Sequence, residues 1–484
     1  MELFAQLSQI LDEGRRIWDD AEAADLTLLE TVMLSGAEAR QPENRIVLAD
    51  NLNFMKALAQ NGMADAFNLI YADPPFFSKR SYEAEIKLKS EWGKTIPAMK
   101  QKAYEDEWEG GLAEYLRVLV SRFYAFHELL SNSGSLWVHL DWHSAHYVKI
   151  LLDAIFGEKN FVNEVIWNYK SGGVSKRRFA RKHDTLLFYG KTPAYYFAAQ
   201  KEKSYNRELK PYRFKGVKEY KDEGGWYTMV NMKDVWQLDM VGRTSAERTG
   251  YATQKPESLI TRILKSCTKE GDLCADFFCG SGTLAAAADK MGRRWVLCDS
   301  GRLAVVNSQK RMVQAGAAFS LTTERGNEDM AGEFTAEYVA EDTMDSTKKL
   351  VRVTLKRYAM PVHGEARDET ASAAEGADDA AGGVVSRTDD VGAGGSPGEG
   401  YAVSVPVDKA YVHVINEILE SDSLRLVDYW SVDFRYNGIE FRPQAFASKV
   451  NDCVDESLAR ITGNSVTIAV RVVDIFGNSS FRVL

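Results

Sequence analysis

Residues 273–299, LCADFFCGSGTLAAAADKMGRRWVLCD, contain a strand, a glycine-rich turn, a helix and a second strand in immediate succession. The apolar run Leu273–Phe278 predicts a buried strand, Thr283–Met291 predicts a helix, and Arg294–Asp299 predicts the next strand. Units of this kind are typical of a mostly parallel sheet that carries helices on its faces. The segment therefore predicts a doubly wound α/β fold.

The same alternation of strands and helices extends over the preceding part of the chain. Apolar runs predict strands, and apolar residues spaced three and four apart predict helices. The predicted strands are 44–50, 67–73, 135–140, 162–169 and 184–189, and the predicted helices are 51–60, 112–130 and 256–266. Residues 192–250 are aromatic, basic and weakly periodic, so we interpret them as an irregular insertion.

A chain of 484 residues is long enough for two or three domains. We predict an N-terminal helical segment at 1–40 and the main α/β domain at 41–330. Residues 363–400 are rich in Gly, Ala, Asp and Glu, which predicts a disordered acidic linker. The alternating runs on either side of it, within 331–362 and 401–484, predict one small α+β domain that the linker interrupts.

Charge is distributed unevenly along this chain, whose net charge is −9. Residues 363–400 hold nine acidic side chains and two arginines, a net of −7. Residues 171–220 hold thirteen Lys and Arg and four acids, a net of +9. A concentrated basic patch is compatible with a nucleic-acid partner and also with a solvated surface, so charge alone leaves both interpretations open.

Three features favour a reducing cytoplasm. No run of about 18 apolar residues predicts a membrane span, and the acidic, amphipathic start of the chain lacks the marks of a signal peptide. The five cysteines form no CxxC pair, so neither a disulfide framework nor a zinc ribbon is indicated. We expect a cytoplasmic protein without membrane contact.

The glycine-rich turn Asp276-Phe277-Phe278-Cys279-Gly280-Ser281-Gly282-Thr283 follows one predicted strand and opens the next helix. Glycines let a backbone turn tightly and approach a ligand, and the start of a helix offers free N–H groups to a carboxylate. No Gly-Lys-Ser/Thr follows, so the turn is not a Walker A loop. Asp299 ends the next strand, where an acid can accept hydrogen bonds from both ribose hydroxyls of a nucleoside cofactor. An ordinary strand-to-helix turn is the competing interpretation.

A second motif, Asp73-Pro74-Pro75-Phe76, ends the predicted strand at 67–73. Ligands of open α/β sheets bind at the carboxyl ends of strands. Two consecutive prolines make a stiff loop with fixed carbonyl directions. The Asp73 carboxylate and such a carbonyl can together accept both hydrogens of an exocyclic amine, and Phe76 offers a flat face to a base. A plain strand-terminating turn is the alternative.

Together the two motifs resemble those of the beta class of exocyclic-amino DNA methyltransferases, in which Asp-Pro-Pro-Tyr/Phe is catalytic and Phe-x-Gly-x-Gly binds S-adenosylmethionine. The resemblance covers residues 44–312 and is close over Gly134–Trp167 and Arg248–Met291. It implies a Rossmann-like methyltransferase fold that uses S-adenosylmethionine, with catalysis by Asp73, Pro74, Pro75 and Phe76. One departure is Phe277, which stands where the family usually has proline.

The resemblance also implies a set of cofactor-binding residues. Asp50 ends a strand where the family has Gly-Asp, with Ala49 in place of the glycine. Gln254-Lys255-Pro256 resembles the family's helix-start motif beside the methionine end of the cofactor. The full implied set is Asp50, Gln254, Lys255, Pro256, Asp276, Phe278, Gly280, Gly282, Thr283 and Asp299.

The implied substrate is double-stranded DNA, with methylation at N6 of a flipped adenine. In the beta class the target-recognition region lies between the two motifs, which is 192–250 here. Predicted DNA contacts are Lys176, Arg177, Arg178, Arg181 and Lys182 on phosphates, and Arg207 and Arg213 in the recognition region. Residues 427–433 and 473–478 are similar to the tail of modification subunits of Type III restriction systems. That similarity implies a restriction subunit and a second copy of this chain as candidate partners.

Several alternatives compete with adenine methylation. N4-cytosine enzymes use the same apparatus but more often have Ser before Pro-Pro, so Asp73 favours adenine. A catalytically silent DNA-binding subunit would not need the intact motif at 73–76. RNA or protein glutamine substrates usually accompany Asn-Pro-Pro-Tyr. The histidines at 139, 143 and 146 suggest a metal site, but the chemistry requires none and we predict no metal.

Overall fold

The computed structural model describes residues 2–33, 42–86, 99–170, 176–326, 332–360, 362–365, 405–449, 453–464 and 466–484. The chain forms two compact units. The first is Met1–Glu85, Lys102–Glu328 and Tyr436–Gln444, and the second is Ile86–Gln101, Asp329–Arg435 and Ala445–Leu484. Residues 86–101 belong to the second unit and residues 436–444 to the first. The continuous domain boundaries expected from the sequence differ from this division at these two segments.

The first unit contains the helices and strands that the sequence alternation predicted, with additional strands. Its helices are α1 Glu2–Asp19, α2 Asn51–Leu58, α3 Gly111–Leu129, α4 Ala145–Phe156, α5 Glu257–Cys267, α6 Thr283–Lys290 and α7 Arg302–Gln314. Its strands begin with β1 Leu26–Val32, β2 Arg45–Leu48, β3 Phe67–Ala72, β4 Ser81–Ile86, β5 Met99–Glu105, β6 Leu130–Leu140, β7 Phe161–Asn168 and β8 His183–Gly190. The strands continue with β9 Lys201–Tyr205, β10 Glu219–Asp222, β11 Gly225–Asn231, β12 Val235–Gln237, β13 Leu273–Asp276, β14 Arg294–Asp299 and β15 Phe319–Glu324. Strands β4 and β5 pair with each other in a two-stranded sheet.

Ten strands of the described residues form one sheet, in the order β1-β15-β2-β14-β13-β3-β6-β8-β7-β12. The six strands from β15 to β6 run parallel, whereas β1 and β8 run opposite to their neighbours. The predicted doubly wound α/β fold is confirmed. Because β3 and β13 are neighbours, with Tyr71 opposite Asp276, the carboxyl ends of the two motif strands meet at one edge of the sheet.

Buried apolar residues of the strands and helices form a continuous core in this unit. The central strands β2, β3 and β13 have largely buried residues, as expected for parallel strands covered on both faces. Helix α1 packs on α3, where the indole N–H of Trp18 donates to Glu128 at 2.9 Å. Helix α2 begins at Asp50, whose carboxylate caps the N–H groups of Leu52 and Asn53.

Two expectations about irregular or helical segments are wrong. Residues 1–40 were predicted as helical, but α1 ends at Asp19 and Leu26–Val32 is a strand that pairs antiparallel with β15 at the sheet edge. The region 192–250 is not wholly irregular, since β9, β10 and β11 form an antiparallel three-stranded sheet and β12 joins the main sheet. In both places pairing with a distant strand provides order that local periodicity does not reveal.

The second unit is rich in strands and has its own buried core. Its elements are β16 Glu333–Asp342, β17 Lys348–Ala359, β18 Val362–Glu365, β19 Val405–Asp408, α8 Lys409–Ser421, β20 Val427–Asp433, β21 Ala445–Ser448, β22 Ser457–Gly463, β23 Ala469–Asp474 and β24 Ser479–Val483. Residues 363–365, expected in the acidic linker, belong to β18 and pair with β19. Residues 366–400 of that linker lie outside the described residues. No helix in the described ranges is long and apolar enough to cross a bilayer.

Candidate functional site

The two motifs line one cavity of about 470 Å³ at the carboxyl edge of the sheet. Its walls include Asp73–Phe76 after β3, Asp276–Ser281 after β13, and Asp299 after β14. The loop Tyr251–Lys255 and Tyr104 of β5 complete much of the lining. A volume of this size accommodates a small organic ligand.

The turn between β13 and α6 depends on two glycines. Gly280 has a φ of +47° and Gly282 a φ of +70°, which side chains other than glycine rarely adopt. A Cβ atom on Gly282 would lie 2.7 Å from the hydroxyl of Ser308, and one on Gly280 would lie 3.1 Å from the ring of Tyr251. The turn therefore depends on both glycines, and Gly280 brings bare backbone to the cavity lining.

Asp276 is buried at the end of β13, and one of its carboxylate oxygens accepts the N–H of Phe278 at 3.0 Å. Burial raises the pKa of Asp276 well above its usual range, and the nearby Asp73 and Asp299 carboxylates act in the same direction. A buried carboxyl group of this kind favours a cationic ligand group, because a positive charge beside it restores the ionised form.

Asp299 accepts two backbone hydrogen bonds, from Gly280 at 2.9 Å and from Gly301 at 2.8 Å. Burial raises its pKa, and these two N–H groups act in the opposite direction. Each carboxylate oxygen keeps a second lone pair, so the oriented group can still accept hydroxyl hydrogens. Asp50 also lines the cavity, paired with the Arg122 guanidinium at 3.1 Å.

Asp73 follows β3 directly and is mostly buried. Its Oδ2 forms an ion pair with the ammonium group of Lys255. Its Oδ1 is covered from solvent and has no hydrogen-bond partner among the described residues. The Lys255 ammonium also lies 5.3 Å from the centre of the Phe76 ring. Lys255, for which the resemblance implied a cofactor contact, lines the cavity and is bound to the second motif.

Asp106, which no motif includes, holds the loop of the second motif. Its carboxylate accepts the backbone N–H groups of Phe76, Phe77 and Ser78 at 3.1, 3.0 and 2.6 Å. It also accepts the Ser78 hydroxyl and the Trp108 indole N–H. On the other side of the loop, the Tyr115 hydroxyl donates to the Pro75 carbonyl at 2.8 Å. These contacts fix the direction of the loop, and nothing in the sequence near Asp106 indicated them.

The remaining predicted cofactor residues form the loop that precedes α5. Gln254 is engaged within that loop, since its Oε1 accepts from Thr249 at 2.8 Å and its Nε2 donates to Glu247 at 2.6 Å. Pro256 stands at the start of α5. Thr283 opens α6, and its hydroxyl donates to the Lys255 carbonyl at 3.1 Å. This bond joins the glycine-rich turn to the loop.

The predicted DNA-contacting residues lie on the surface. Four of the cations between β7 and β8 are exposed and the fifth is half-buried: Lys176, Arg177, Arg178, Arg181 and Lys182. The Arg181 guanidinium lies 3.5 Å from the centre of the Trp142 ring. Arg207 and Arg213 are exposed in the segment between β9 and β10. The N–H of Arg213 donates to Glu219 at 2.7 Å, which ties that segment to β10.

Two of the histidines that suggested a metal site are bonded to side chains of the protein. His139 is bonded to Tyr71 at 2.8 Å and to Asp184 at 3.1 Å, and His143 is paired with Asp141 at 2.7 Å. Within the described ranges, no three His, Cys, Asp or Glu side chains cluster as metal ligands would.

The donor and acceptor groups of the cavity fit S-adenosylmethionine. The carboxylates of Asp276 and Asp299 line the cavity together with Gly280, and they supply the hydrogen-bond acceptors that a nucleoside ligand with an amino group requires. Asp73 and Phe76 belong to the same lining.

The family match and the curated relatives of this chain reported below are DNA methyltransferases. The family described as DNA methylase matches residues 67–309, half of the chain. The Type II methyltransferase M2.LlaDCHI of Lactococcus lactis subsp. cremoris is 25% identical over 292 residues, 58% of this chain and 93% of that protein. M2.DpnII of Streptococcus pneumoniae is 25% identical over 282 residues, 56% of this chain and 90% of that protein. The solved M1.HpyAVI–SAM complex aligns at 18% identity and a TM-score of 0.35, over 55% of this chain and 98% of that one.

Proposed function

Because this chain belongs to the DNA methylase family of S-adenosylmethionine-dependent amino-methyltransferases, we propose that it methylates N6 of adenine in double-stranded DNA. The observation that carries the proposal is the Asp73 carboxylate, held at the head of a rigid Pro-Pro loop inside the same cavity as the glycine-rich turn. An acid rather than a serine at this position favours adenine over cytosine as the target. Target-site methylation by this chain would serve a restriction–modification system.

The catalytic residues we propose are Asp73, Pro74, Pro75 and Phe76. A base stacked in a duplex cannot reach the cavity, so the target adenine is flipped out and lies against Phe76. The Asp73 carboxylate and the Pro74 carbonyl accept hydrogen bonds from the N6 amine. These bonds orient the nitrogen lone pair away from the ring and towards the methyl group. The bonds that Asp106 and Tyr115 make to the loop keep this geometry fixed before the base arrives.

S-adenosylmethionine supplies an electrophilic methyl group when bound. The chain's own contribution is to position the amine in line with it, which is the main source of rate enhancement for such a transfer. We assign the cofactor to the lining residues Asp276, Phe278, Gly280, Thr283 and Asp299, with Asp50 and Gln254. Gly282 and Pro256, which begin α6 and α5, complete the assigned set. Lys255 contributes through Asp73 instead.

DNA binding is proposed for the exposed cations at the same end of the sheet. The loop that carries Arg177 and Arg181 joins the carboxyl end of β7 to β8, and β7 runs in the same direction as the motif strands. Its guanidinium and ammonium groups suit phosphates, which set affinity but not sequence. Tyr205 belongs to the sheet formed by β9, β10 and β11, and Arg207 lies in the segment that follows β9. We assign base recognition to this region.

The test is methylation of duplex DNA in vitro with labelled S-adenosylmethionine, followed by digestion to nucleosides and mass spectrometry. We expect N6-methyladenine from wild-type protein and none from Asp73→Ala. Calorimetry on Asp73→Ala should show cofactor binding close to wild type, because Asp73 faces the amine. N4-methylcytosine as the product would establish the main rival. Absence of both products with intact cofactor binding would favour a silent DNA-binding subunit.

A further inference from the structure

His139 is a fully buried histidine next to the reacting centre, and the reaction as derived so far does not use it. It stands near the end of β6, the strand beside β3. Its Nε2 lies 3.1 Å from Asp184 Oδ2, and its Nδ1 lies 2.8 Å from the Tyr71 hydroxyl. The same Nδ1 is 4.0 Å from Asp73 Oδ1. A titratable ring therefore lies between two carboxylates, one of which we place on the substrate.

His139 lies between two carboxylates, and one of them is paired with a lysine. Asp184 lies on one side of the imidazole and Asp73 on the other, and Lys255 pairs with the far oxygen of Asp73. Burial acts to raise the pKa of Asp184, but hydrogen bonding and charge from His139, with the charge of Lys255, lower it overall. Asp184 also accepts the Tyr169 hydroxyl at 2.9 Å. An ionised Asp184 stabilises a proton on the imidazole between the carboxylates.

The Asp73 oxygen nearest to His139 is Oδ1, and it lacks a hydrogen-bond donor among the described residues. Oδ1 is shielded from solvent and has no hydrogen-bond partner in the part of the chain that the structure describes. A buried carboxylate oxygen without a donor is costly, so a donor that comes close enough to bond it is strongly favoured. His139 Nδ1, at 4.0 Å, becomes such a donor once it carries a proton.

We propose that His139 accepts, through Asp73, the proton that the target amine loses during methyl transfer. Asp184 is the positioning residue that orients the imidazole and stabilises its protonated form. This inference rests on the proposed function in one respect, since it takes the amine bound by Asp73 as the substrate.

The proton and electron balance of the step is simple. The amine nitrogen uses its lone pair to form the new N–C bond, and the S–C bond breaks with its electron pair remaining on sulfur. As the N–C bond forms, one N–H bond of the amine breaks and its electrons stay on nitrogen, so that no full positive charge builds up there. The proton passes to Asp73 and from Oδ1 to His139 Nδ1, whose lone pair is released when the Tyr71 hydroxyl, 2.8 Å away, turns its hydrogen from the ring. Asp73 is again a carboxylate, and the imidazolium lies against Asp184 until the proton leaves to solvent.

A purely structural role for His139 is the competing account. The Phe76 ring stacks on the imidazole at 5.8 Å and 28°, and Trp167 packs edge-on at 5.5 Å. Loss of the ring alone could therefore misplace Phe76. The two roles differ in one respect, because support for Phe76 requires the shape of residue 139 and of its partner, whereas proton acceptance requires their charge.

The experiment compares His139→Gln and Asp184→Asn with wild type in single-turnover methyl transfer over a range of pH. Gln keeps a donor towards Asp184 but takes no proton, and Asn keeps the shape and acceptor of Asp184 without its charge. We expect the rate constant of each variant to fall about 100-fold, within the range for loss of a general base. Dissociation constants for S-adenosylmethionine and DNA should stay within about twofold of wild type, which shows that the site is formed.

The pH–rate profile provides a readout that a structural role would not change. We expect the pH dependence of the wild-type rate to change in His139→Gln, because residue 139 can no longer take up a proton. Tyr71, Asp73 and Asp184 face the ring, with Lys255 behind Asp73, and all of them remain in that variant.

The control variant is His143→Gln, because His143 pairs with Asp141 just beyond β6 and should show wild-type rates. Wild-type rates in Asp184→Asn, or the same pH profile in His139→Gln as in wild type, would overturn the proposal. The comparison holds whether the methylated base is adenine or cytosine, so failure of the proposed target base is recognised separately.

Discussion

Lys255, at the end of the loop before α5, forms an ion pair with Asp73, which lies 182 positions earlier in the chain. The pair joins the loop that borders the glycine-rich turn to the motif that we place on the substrate. Both side chains are largely withdrawn from solvent, with 10% and 17% of their surface exposed. Removing one partner of a buried pair leaves the other charge uncompensated, which makes the contact sensitive to substitution.

Lys255→Met tests whether this lysine acts on Asp73 or on the cofactor. We expect the single-turnover rate to fall about 100-fold, equivalent to roughly 2.7 kcal/mol of activation free energy. The dissociation constant for S-adenosylmethionine should change less than about threefold by calorimetry. Lys290→Met is the matched control, since Lys290 is exposed and its partner Glu257 keeps a second ion pair with Arg311, so the rate should be unchanged. A large loss of cofactor affinity with a normal rate at saturation would return Lys255 to the cofactor site.

Asp299→Ala tests the ribose contact. The variant removes a carboxylate that the N–H groups of Gly280 and Gly301 hold in place. Hydrogen bonds to a charged group contribute roughly 1.5–3 kcal/mol each, so we expect affinity for S-adenosylmethionine to fall at least about 10-fold. Calorimetry measures the change, and thermal melting confirms that the variant is folded. An unchanged dissociation constant in a folded variant would remove Asp299 from the site.

The sequence predicted the part of the site that depends on strand ends. Asp73 and Asp276 each follow an apolar run, and parallel strands carry such residues to a common edge. Their partners could not be predicted in this way. Asp106 contacts the Phe76 loop from 30 positions away. His139 and Asp184 meet because β6 pairs antiparallel with β8. That register depends on the packing of the whole sheet, which short stretches of sequence do not encode.

The wrong expectations about the fold also come from strand pairing between distant parts of the chain. Residues 26–32 form a strand only because β15 is available as an antiparallel neighbour, and β15 is almost 300 positions away. The three strands between 201 and 231 are short, and two of them mix charged with aromatic residues, so their alternation is weak as a local signal. Long, strongly apolar strands such as 67–72 were predicted within one residue of their observed bounds.

Replacing Arg177 and Arg178 with Gln tests whether phosphate contacts and base recognition belong to different residues. Both lie in the exposed segment between β7 and β8, and we assign them to phosphates. Binding to all sequences should weaken, and the slope of log K against log salt should become shallower by about 2, since each phosphate contributes about 0.9. Arg16→Gln on α1 serves as a control. A change in the methylated motif with unchanged affinity would contradict the assignment.

Replacing Tyr205, Arg207 and Trp226 together should have the opposite effect. These residues belong to the β9–β11 sheet or to the segment that follows β9. We expect the set of methylated sites to change or relax while the salt dependence of binding stays close to wild type. Modified-base sequencing of the host DNA reads out the sites. An unchanged methylated motif with a steep loss of affinity would instead mean that these residues contact the DNA backbone.

Asp474 in the second unit provides a test of stability against pH. Burial raises its pKa from 3.8 to about 6, although Asn478, Tyr358 and the N–H of Phe476 donate hydrogen bonds to it. Between about pH 4 and pH 6 the folded state keeps a proton that the unfolded state has lost, so stability falls as pH rises through this window. The loss from this group reaches roughly 3 kcal/mol above pH 7.

Asp474→Asn removes the titration and keeps the size of the side chain. Hydrogen exchange of the peptide that contains Ala469–Asp474 should show equal protection in the two proteins near pH 4. The variant should become the better protected of the two as pH rises towards 7.5. A constant difference between them across this range would mean that Asp474 does not titrate there.

The central claim is that this chain methylates N6 of adenine, and modified-base sequencing tests it most directly. The protein is expressed in a host without other DNA methylation, and the host DNA is sequenced with detection of both N6-methyladenine and N4-methylcytosine. Our account predicts N6-methyladenine at one fixed sequence motif in cells with wild-type protein and none in cells with Asp73→Ala. N4-methylcytosine at a fixed motif, or unmodified DNA despite soluble protein that binds S-adenosylmethionine, would contradict it.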